Sequence, residues 1–286
     1  MKSIKILQPQ TAKDVCLLLD QYKGEAVLHA GGTDLLVRMR NGAVKPSYII
    51  DLSKAKALDT VTELPDGIFR VGCMVTITEL MQLPATKTKY QALFEALQSI
   101  GSAQIRNRGT IVGNICNASP AADSAPPLLV FDSTLNIKSC KGLRTISIND
   151  FFRGPGETCL AQDEFVESID LPDNNGRSAS AYQKIGRRKA VDCSVVSVAV
   201  RIDPDQSVRL ALGAVADRPL RANRVEALLS QNNWKPKIID QAAELVASIA
   251  SPIDDVRASK AYREAMLPLL FRRTFDQAVQ RLNQEI

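Results

Sequence analysis

The chain has 286 residues, of which 45% are hydrophobic and 23% charged, and this ordinary globular composition excludes a disordered or fibrous protein. Its 36 basic and 31 acidic residues give a net charge of +5 without a long run of one sign, so no nucleic-acid partner is expected. Apolar stretches are far shorter than the roughly 18 residues that span a bilayer, and the N-terminus lacks a signal-peptide pattern, which predicts a cytoplasmic protein with no membrane span.

The cysteines and the single histidine limit the chemistry that side chains can perform. Six cysteines lie at positions 16, 73, 116, 140, 159 and 193, and none of their spacings suits a metal site. We therefore expect reduced thiols, no metal and no iron–sulfur cluster in this chain. His29 is the only histidine, which argues against a Ser-His-Asp or Cys-His catalytic system. No catalytic side chain is assigned, and the chemistry is expected to belong to a bound group.

The first predicted elements are a helix followed by a β-α-β unit. Thr11 and Asp14 form a capping box at the start of a helix that runs to Tyr22. The next elements are a strand over 26–30, the Gly31-Gly32 turn, a helix over 34–40 and a strand over 48–52. This order predicts a parallel pairing of the two strands.

The middle of the chain predicts a mixture of strands and helices. Strands are expected over 67–72, 128–131, 134–139, 143–148 and 165–171, and helices over 78–82 and 90–100. The polar, turn-rich stretch 110–123 is expected to be a functional loop rather than a helix or strand. Five turn-forming residues over 172–176 predict a domain boundary.

The C-terminal part predicts strands and then helices. Strands are expected over 179–185, 194–202 and 207–215, and helices over 224–230, 236–250 and 260–283. Runs of strands followed by runs of helices indicate an α+β fold rather than an alternating α/β fold. The predicted domains are residues 1–175 and 176–286.

The Gly31-Gly32 turn is the first candidate binding site. Residues Ala30 to Asp34 (A-G-G-T-D) join a strand to a helix, where glycines allow close backbone approach and helix amides favour an anion. The segment is therefore suited to a phosphate. The alternative is that the two glycines only make a tight connection. The motif matches neither G-x-G-x-x-G nor a P-loop, so it indicates neither a Rossmann NAD site nor an NTPase.

A second candidate site lies at Thr110 to Asn114 (T-I-V-G-N), which follows two arginines at 106 and 108. Together with the preceding Gly109, it combines two glycines, two hydrogen-bonding side chains and nearby positive charge. The alternative is a structured surface loop without a ligand. As a pair, the two glycine segments suit a ligand with a central pyrophosphate and an aromatic group at each end.

Five segments together resemble a known family. They are A-G-G-T-D at 30–34, G-S-A-Q-I-R-N at 101–107, T-I-V-G-N-I at 110–115, S-P-A-A-D-S at 119–124 and K-I-G-R-R-K-A-V-D at 184–192. The sequence resembles, over essentially its whole length, the FAD-binding subunit of molybdenum hydroxylases such as xanthine dehydrogenase and carbon monoxide dehydrogenase. The resemblance implies a PCMH-type FAD-binding fold with subdomains of about 1–57 and 58–175. A C-terminal domain with a three-stranded antiparallel sheet and a helical bundle is expected to follow.

The resemblance also implies which residues bind FAD. It assigns the pyrophosphate to Val27, Leu28, His29, Ala30, Gly31, Gly32, Thr33 and Asp34, and, from the other side, to Thr110, Ile111, Val112, Gly113 and Asn114. It places Ile100 against the adenine and Asp123 in a hydrogen bond to the cofactor. Val166 and Lys184 are expected beside the flavin. Two roles stay open for His29. It either contacts the flavin or ribityl group, or lies at the strand end with its ring hydrogen-bonded within the protein.

One residue departs from the family pattern. The usual loop reads T-I-G-G-N, whereas the third residue here is Val112. Valine would be strained at a position that needs positive φ, but it is tolerated where the backbone has ordinary φ. We expect the second case because Gly113 and Asn114 remain.

The implied function is electron transfer within a larger complex. A molybdenum-cofactor subunit would hydroxylate a substrate, two [2Fe–2S] centres of an iron–sulfur subunit would pass electrons on, and FAD in this chain would give them to NAD⁺ or another acceptor. The sequence of residues 115–124 is similar to that of bacterial xanthine dehydrogenase subunits, and this favours a purine or related N-heterocycle as the substrate of the complex. A self-contained flavin oxidoreductase and a non-enzymatic assembly scaffold are the alternatives. The absence of an acid–base constellation agrees with chemistry that belongs to a cofactor.

Overall fold

A small parallel sheet forms the N-terminal part of the fold. The computed structural model describes residues 4–173 and 178–284. The sheet has the order β1 (Lys5–Leu7), β3 (Tyr48–Asp51), β2 (Ala26–His29), with both pairings parallel. Helix α1 (Ala12–Gln21) begins at the predicted capping box, and α2 (Leu35–Arg40) connects β2 to β3. The predicted β-α-β unit is confirmed.

A five-stranded antiparallel sheet follows. Its strands in spatial order are β4 (Val61–Glu63), β5 (Phe69–Gly72), β10 (Phe165–Leu171), β6 (Thr134–Ser139) and β7 (Gly142–Ser147). The helices of this part are α3 (Ile77–Gln82), α4 (Pro84–Thr88), α5 (Gln91–Ser99), α6 (Ala103–Arg106), α7 (Ile111–Cys116) and α8 (Ala125–Val130). A two-stranded ribbon, β8 (Phe152–Gly154) with β9 (Glu157–Thr158), lies between β7 and β10 in the chain. Strands β6 and β7, predicted over 134–139 and 143–148, pair as an antiparallel hairpin.

Two predictions for this part were wrong. The expected strand over 128–131 is mostly helix α8, because Pro126 and Pro127 suit the first turn of a helix and every residue of α8 is buried. A segment buried on all sides shows no periodicity that separates a helix from a strand. The expected loop over 110–123 contains helix α7, since the Thr110 hydroxyl accepts a hydrogen bond from the Gly113 amide at 3.0 Å and caps it.

The C-terminal part has an antiparallel sheet covered by helices. The sheet has the order β11 (Ala179–Ile185), β12 (Val196–Ile202), β13 (Val208–Gly213), β14 (Leu220–Arg221), so a short fourth strand joins the three predicted ones. Helices α9 (Asn223–Ser230), α10 (Pro236–Ile249) and α11 (Lys260–Gln284) follow. Strand β12 is buried along its whole length because α11 packs on one face of the sheet and α8 on the other.

Two apolar cores hold the molecule together. The first surrounds the five-stranded sheet, and the second lies between the C-terminal sheet and its helices. Tyr182, Ala199 and Ala211 of the C-terminal sheet belong to the first core, so this sheet is packed against the N-terminal part. The predicted boundary residues Asn174, Asn175 and Gly176 lie outside the described residues, and the division at 175/176 stays a prediction.

Candidate functional site

A cleft with a volume of about 400 Å³ lies where the Gly31-Gly32 turn meets the N-terminus of α7. The turn follows β2 at the carboxyl end of the parallel sheet, which is where open sheets of this kind place ligands. The two glycine segments, far apart in the sequence, therefore line one cleft, as the sequence led us to expect.

Gly31 lies directly against the backbone of Arg108 and Gly109, which immediately precede the second segment. A Cβ atom at this position would lie 2.0 Å from the backbone oxygen of Arg108 and 2.8 Å from the Cα atom of Gly109. Backbone atoms cannot move aside as a flexible side chain does, so only glycine fits here. Gly109 faces the turn as well, since its own Cβ would lie 3.5 Å from the Thr33 hydroxyl oxygen.

The turn presents unused hydrogen-bond donors to the cleft. Within the described part of the chain, none of the four backbone amides from Gly31 to Asp34 donates to a protein acceptor. Four donors without a protein acceptor, at the start of α2 and in a wall of the cleft, suit an anion such as a diphosphate. Arg38, one turn further along the helix, adds positive charge to the lining.

The opposite wall is the first turn of α7. The Asn114 side-chain oxygen accepts a hydrogen bond from the Ser124 hydroxyl at 2.6 Å, so the amide is oriented and its NH₂ group remains a donor at the cleft. Val112 is the second residue of this helix and is 5% exposed. Its φ is not positive, which accords with the expectation that valine is tolerated in place of the family's glycine.

Replacing Val112 by glycine, the residue usual in the family pattern, is expected to destabilise this chain. Glycine in a helix costs about 0.5–1 kcal/mol, and the loss of a buried isopropyl group adds to that cost, so we expect the free energy of unfolding to fall by about 2 kcal/mol. Urea denaturation of the wild type and V112G provides the measurement. Equal midpoints would contradict the helical environment described for Val112.

Most of the residues that the family resemblance assigns to FAD line the cleft. These are Val27, Leu28, Ala30, Gly31, Gly32, Thr33, Asp34, Ile100, Thr110, Val112, Gly113, Asn114 and Val166. Four of the assigned residues are outside the lining: His29, Ile111, Asp123 and Lys184. The Ile111 side chain is 1% exposed and belongs to the first apolar core. For all of these residues, contact with a cofactor stays a prediction.

Other lining residues were not predicted from the sequence. They are Leu35, Arg38, Val44, Leu52, Cys73, Ile77, Ile105, Gly109, Cys116, Asn117, Leu160 and Phe165. Many are apolar side chains carried by separate elements, and no local pattern distinguishes them from ordinary core residues. The exceptions are Ile105, which lies in the family segment 101–107, Gly109, which precedes the T-I-V-G-N motif, and Cys116 and Asn117, which lie in the expected loop.

Asp123 and Lys184 contact each other. The Lys184 Nζ atom lies 2.7 Å from Asp123 Oδ2 and also donates to the carbonyl oxygens of Ser99 and Asp192, each at 3.0 Å. Asp123 Oδ1 accepts hydrogen bonds from the Tyr182 hydroxyl at 2.7 Å and from the Ser194 hydroxyl. This network joins the α7–α8 connection to the C-terminal sheet.

The titratable groups of the lining offer little acid–base chemistry. Burial raises the pKa of Cys116 to about 12 and raises that of Cys73 further, so both thiols are protonated near neutral pH. Partial burial raises the pKa of Asp34, while Arg38 acts in the opposite direction. Within residues 4–173 and 178–284, no three His, Cys, Asp or Glu side chains are grouped as metal ligands.

These features fit the FAD that the resemblance implies. Free amides and Arg38 suit a diphosphate, and apolar residues such as Ile100, Phe165 and Val166 suit aromatic rings.

Among the helices of the described residues, none is long and apolar enough to cross a bilayer.

Comparison with known proteins agrees with this geometry. Residues 2–174 match the family described as the FAD binding domain in molybdopterin dehydrogenase, and residues 180–278 match the CO dehydrogenase flavoprotein C-terminal domain. The chain is 32% identical over 260 residues, 89% of each chain, to the xanthine dehydrogenase FAD-binding subunit of Escherichia coli O157:H7. It is 28% identical over 285 residues, 96% of each chain, to the nicotinate dehydrogenase FAD-subunit of Eubacterium barkeri. A structure of carbon monoxide dehydrogenase from Hydrogenophaga pseudoflava matches with a TM-score of 0.93 and 27% identity, covering 97% of this chain and 98% of that one.

Proposed function

The chain belongs to the FAD-binding subunits of the molybdenum hydroxylase family, and we propose that it binds FAD in the cleft between the Gly31-Gly32 turn and α7. The observation that carries this proposal is that the two glycine segments line one cleft, where the four amides from Gly31 to Asp34 have no protein acceptor. Diphosphate oxygens are acceptors only, and an array of fixed N–H donors suits them.

The chain's own residues would bind and orient the cofactor. The amides of the turn and the Thr33 and Asn114 side chains would hold the diphosphate, and the apolar lining would exclude water from the rings. When bound, FAD supplies hydride and single-electron transfer, which the side chains of the lining do not supply. The protonated Cys73 and Cys116 thiols would add apolar contacts rather than charge.

We further propose that the chain accepts electrons from [2Fe–2S] centres of an iron–sulfur partner subunit, while a molybdenum-pterin subunit oxidises the substrate. Reduced cofactor would then deliver electrons to NAD⁺ or another acceptor. The two relatives described above are named for xanthine and nicotinate, which are both N-heterocycles, and this favours a purine or related heterocycle as the substrate of the complex.

We also place the complex in the cytoplasm. The six cysteines are all free thiols, which suits a reducing compartment.

Purification of the chain with its partners from native cells tests the proposed function. We expect one FAD per copy of this chain, seen as flavin absorbance bands, with iron and molybdenum in the same complex. A colourless chain that takes up no added FAD would contradict the proposal and favour an assembly scaffold. A yellow chain that oxidises an organic substrate without partners would favour a self-contained flavin oxidoreductase.

A further inference from the structure

We propose that His29 is a positioning residue for the Gly31-Gly32 turn: its ring, hydrogen-bonded to Asp51, supports Gly32 and so fixes the direction of the amides that face the ligand. The inference rests on the proposed function, because the turn is taken to bind the FAD diphosphate. His29 is absent from the cleft lining, so this role acts through the turn and not through contact with the ligand.

The sheet register places His29 and Asp51 side by side. They are directly paired residues at the carboxyl ends of the parallel strands β2 and β3. The His29 Nδ1 atom lies 3.3 Å from Asp51 Oδ1, and both side chains are largely buried, with 18% and 16% of their surface exposed. Because the turn begins two residues after His29, this pair lies immediately beneath it.

Asp51 is itself held in place from several directions. Its carboxylate accepts hydrogen bonds from the Gln8 side chain at 2.9 Å and from the Ser53 amide and hydroxyl at 3.1 and 2.9 Å. These donors and His29 hold the pKa of Asp51 at about 2, against the opposing effect of burial. An ionised, multiply bonded carboxylate gives the His29 ring a rigid anchor and favours the tautomer with its proton on Nδ1.

The other side of the ring contacts the turn. A Cβ atom on Gly32 would lie 2.4 Å from His29 Nε2 and 3.0 Å from Cδ2, so the ring occupies the space that a side chain would need. Gly32 also has a φ of +73°, in the left-handed region that favours glycine. A rotation of the ring would remove this support, and the peptide planes of the turn would then be free to tilt. The Asp51 hydrogen bond therefore determines how the donors of the turn point.

The test compares FAD affinity in His29→Phe, Asp51→Asn and the double variant. Phenylalanine keeps a ring of similar shape without the Nδ1 donor, and asparagine removes the charge of the acceptor. Dissociation constants for FAD and for riboflavin, which lacks the diphosphate, are measured by flavin fluorescence on the deflavinated full-length chain. Asp14→Asn is the matched control, because Asp14 also accepts several hydrogen bonds but lies at the start of α1, away from the cleft.

We expect each single variant to weaken FAD binding by about tenfold, in line with loss of a hydrogen bond to a charged group. The double variant should also lose about tenfold, since the two residues act as one unit. Riboflavin affinity should stay unchanged in all variants, whereas a general loosening of the fold would weaken both ligands. The Asp14→Asn control should bind FAD like the wild type.

Three results would overturn the inference: single variants within twofold of the wild type for FAD, losses that multiply to about a hundredfold in the double variant, or an equal loss of riboflavin affinity. A wild-type chain that binds no FAD at all would instead refute the proposed function. Failure of the His29 inference is therefore seen in the variants, whereas failure of the proposed function is seen in the wild-type chain.

Discussion

Replacing Gly31 by alanine is expected to abolish retention of FAD by the purified chain and to lower the free energy of unfolding by about 3 kcal/mol. The added methyl group would lie 2.0 Å from the Arg108 carbonyl oxygen and 2.7 Å from its carbon. Both are backbone atoms of the opposing segment, which is tied to α3 by the hydrogen bond from the Ile77 amide to the Gly109 oxygen at 2.9 Å. The clash must therefore separate the two walls of the cleft.

Gly154→Ala is the matched control for this prediction. Gly154 is buried and, like Gly31, has no positive φ, but a Cβ there would make only an ordinary contact of 3.6 Å with a Glu157 side-chain oxygen. Flavin content by absorbance and urea denaturation should show a large effect for G31A and a small one for G154A. If G31A kept its FAD and its denaturation midpoint, the close approach of the two glycine segments would be refuted.

Replacing Asp123 by alanine is expected to lower the free energy of unfolding by roughly 3–5 kcal/mol, the usual cost of removing one partner of a buried ion pair. Only 15% of the Lys184 side chain and 8% of the Asp123 side chain are exposed. The substitution would leave the Lys184 ammonium group without its counterion and the Tyr182 and Ser194 hydroxyls without their acceptor. Because this network joins two parts of the fold, the loss should affect the whole molecule.

Two further variants make the Asp123 experiment specific. Asp123→Asn keeps an acceptor oxygen and should cost less than the alanine variant. Lys141→Ala removes an ion pair with Asp163 in which 82% of the lysine side chain is accessible, and it should change stability by less than about 1 kcal/mol. A D123A loss no larger than that of K141A would contradict the buried network. FAD affinity of D123N would test the predicted hydrogen bond from Asp123 to the cofactor.

The N-terminal unit was predictable because its signals are local. The capping box of Thr11 and Asp14 uses residues three apart, and the glycine turn joins a strand and a helix that are adjacent in the chain. The segment around α7 and α8 was harder to predict. Helix α8 is buried on every side, so its apolar run carried no periodicity, and α7 depends on a threonine cap within a stretch rich in turn-forming residues.

The sequence by itself determined the α+β class, the family and the two glycine segments, because these depend on residue types and short spacings. Only the tertiary structure decided that Gly31 touches Arg108, that His29 meets Asp51, and that Lys184 pairs with Asp123. Each of these contacts joins separate elements, and its geometry comes from sheet register and packing between elements. Sheet register and packing between elements depend on the whole fold, so a local pattern of residues does not specify them.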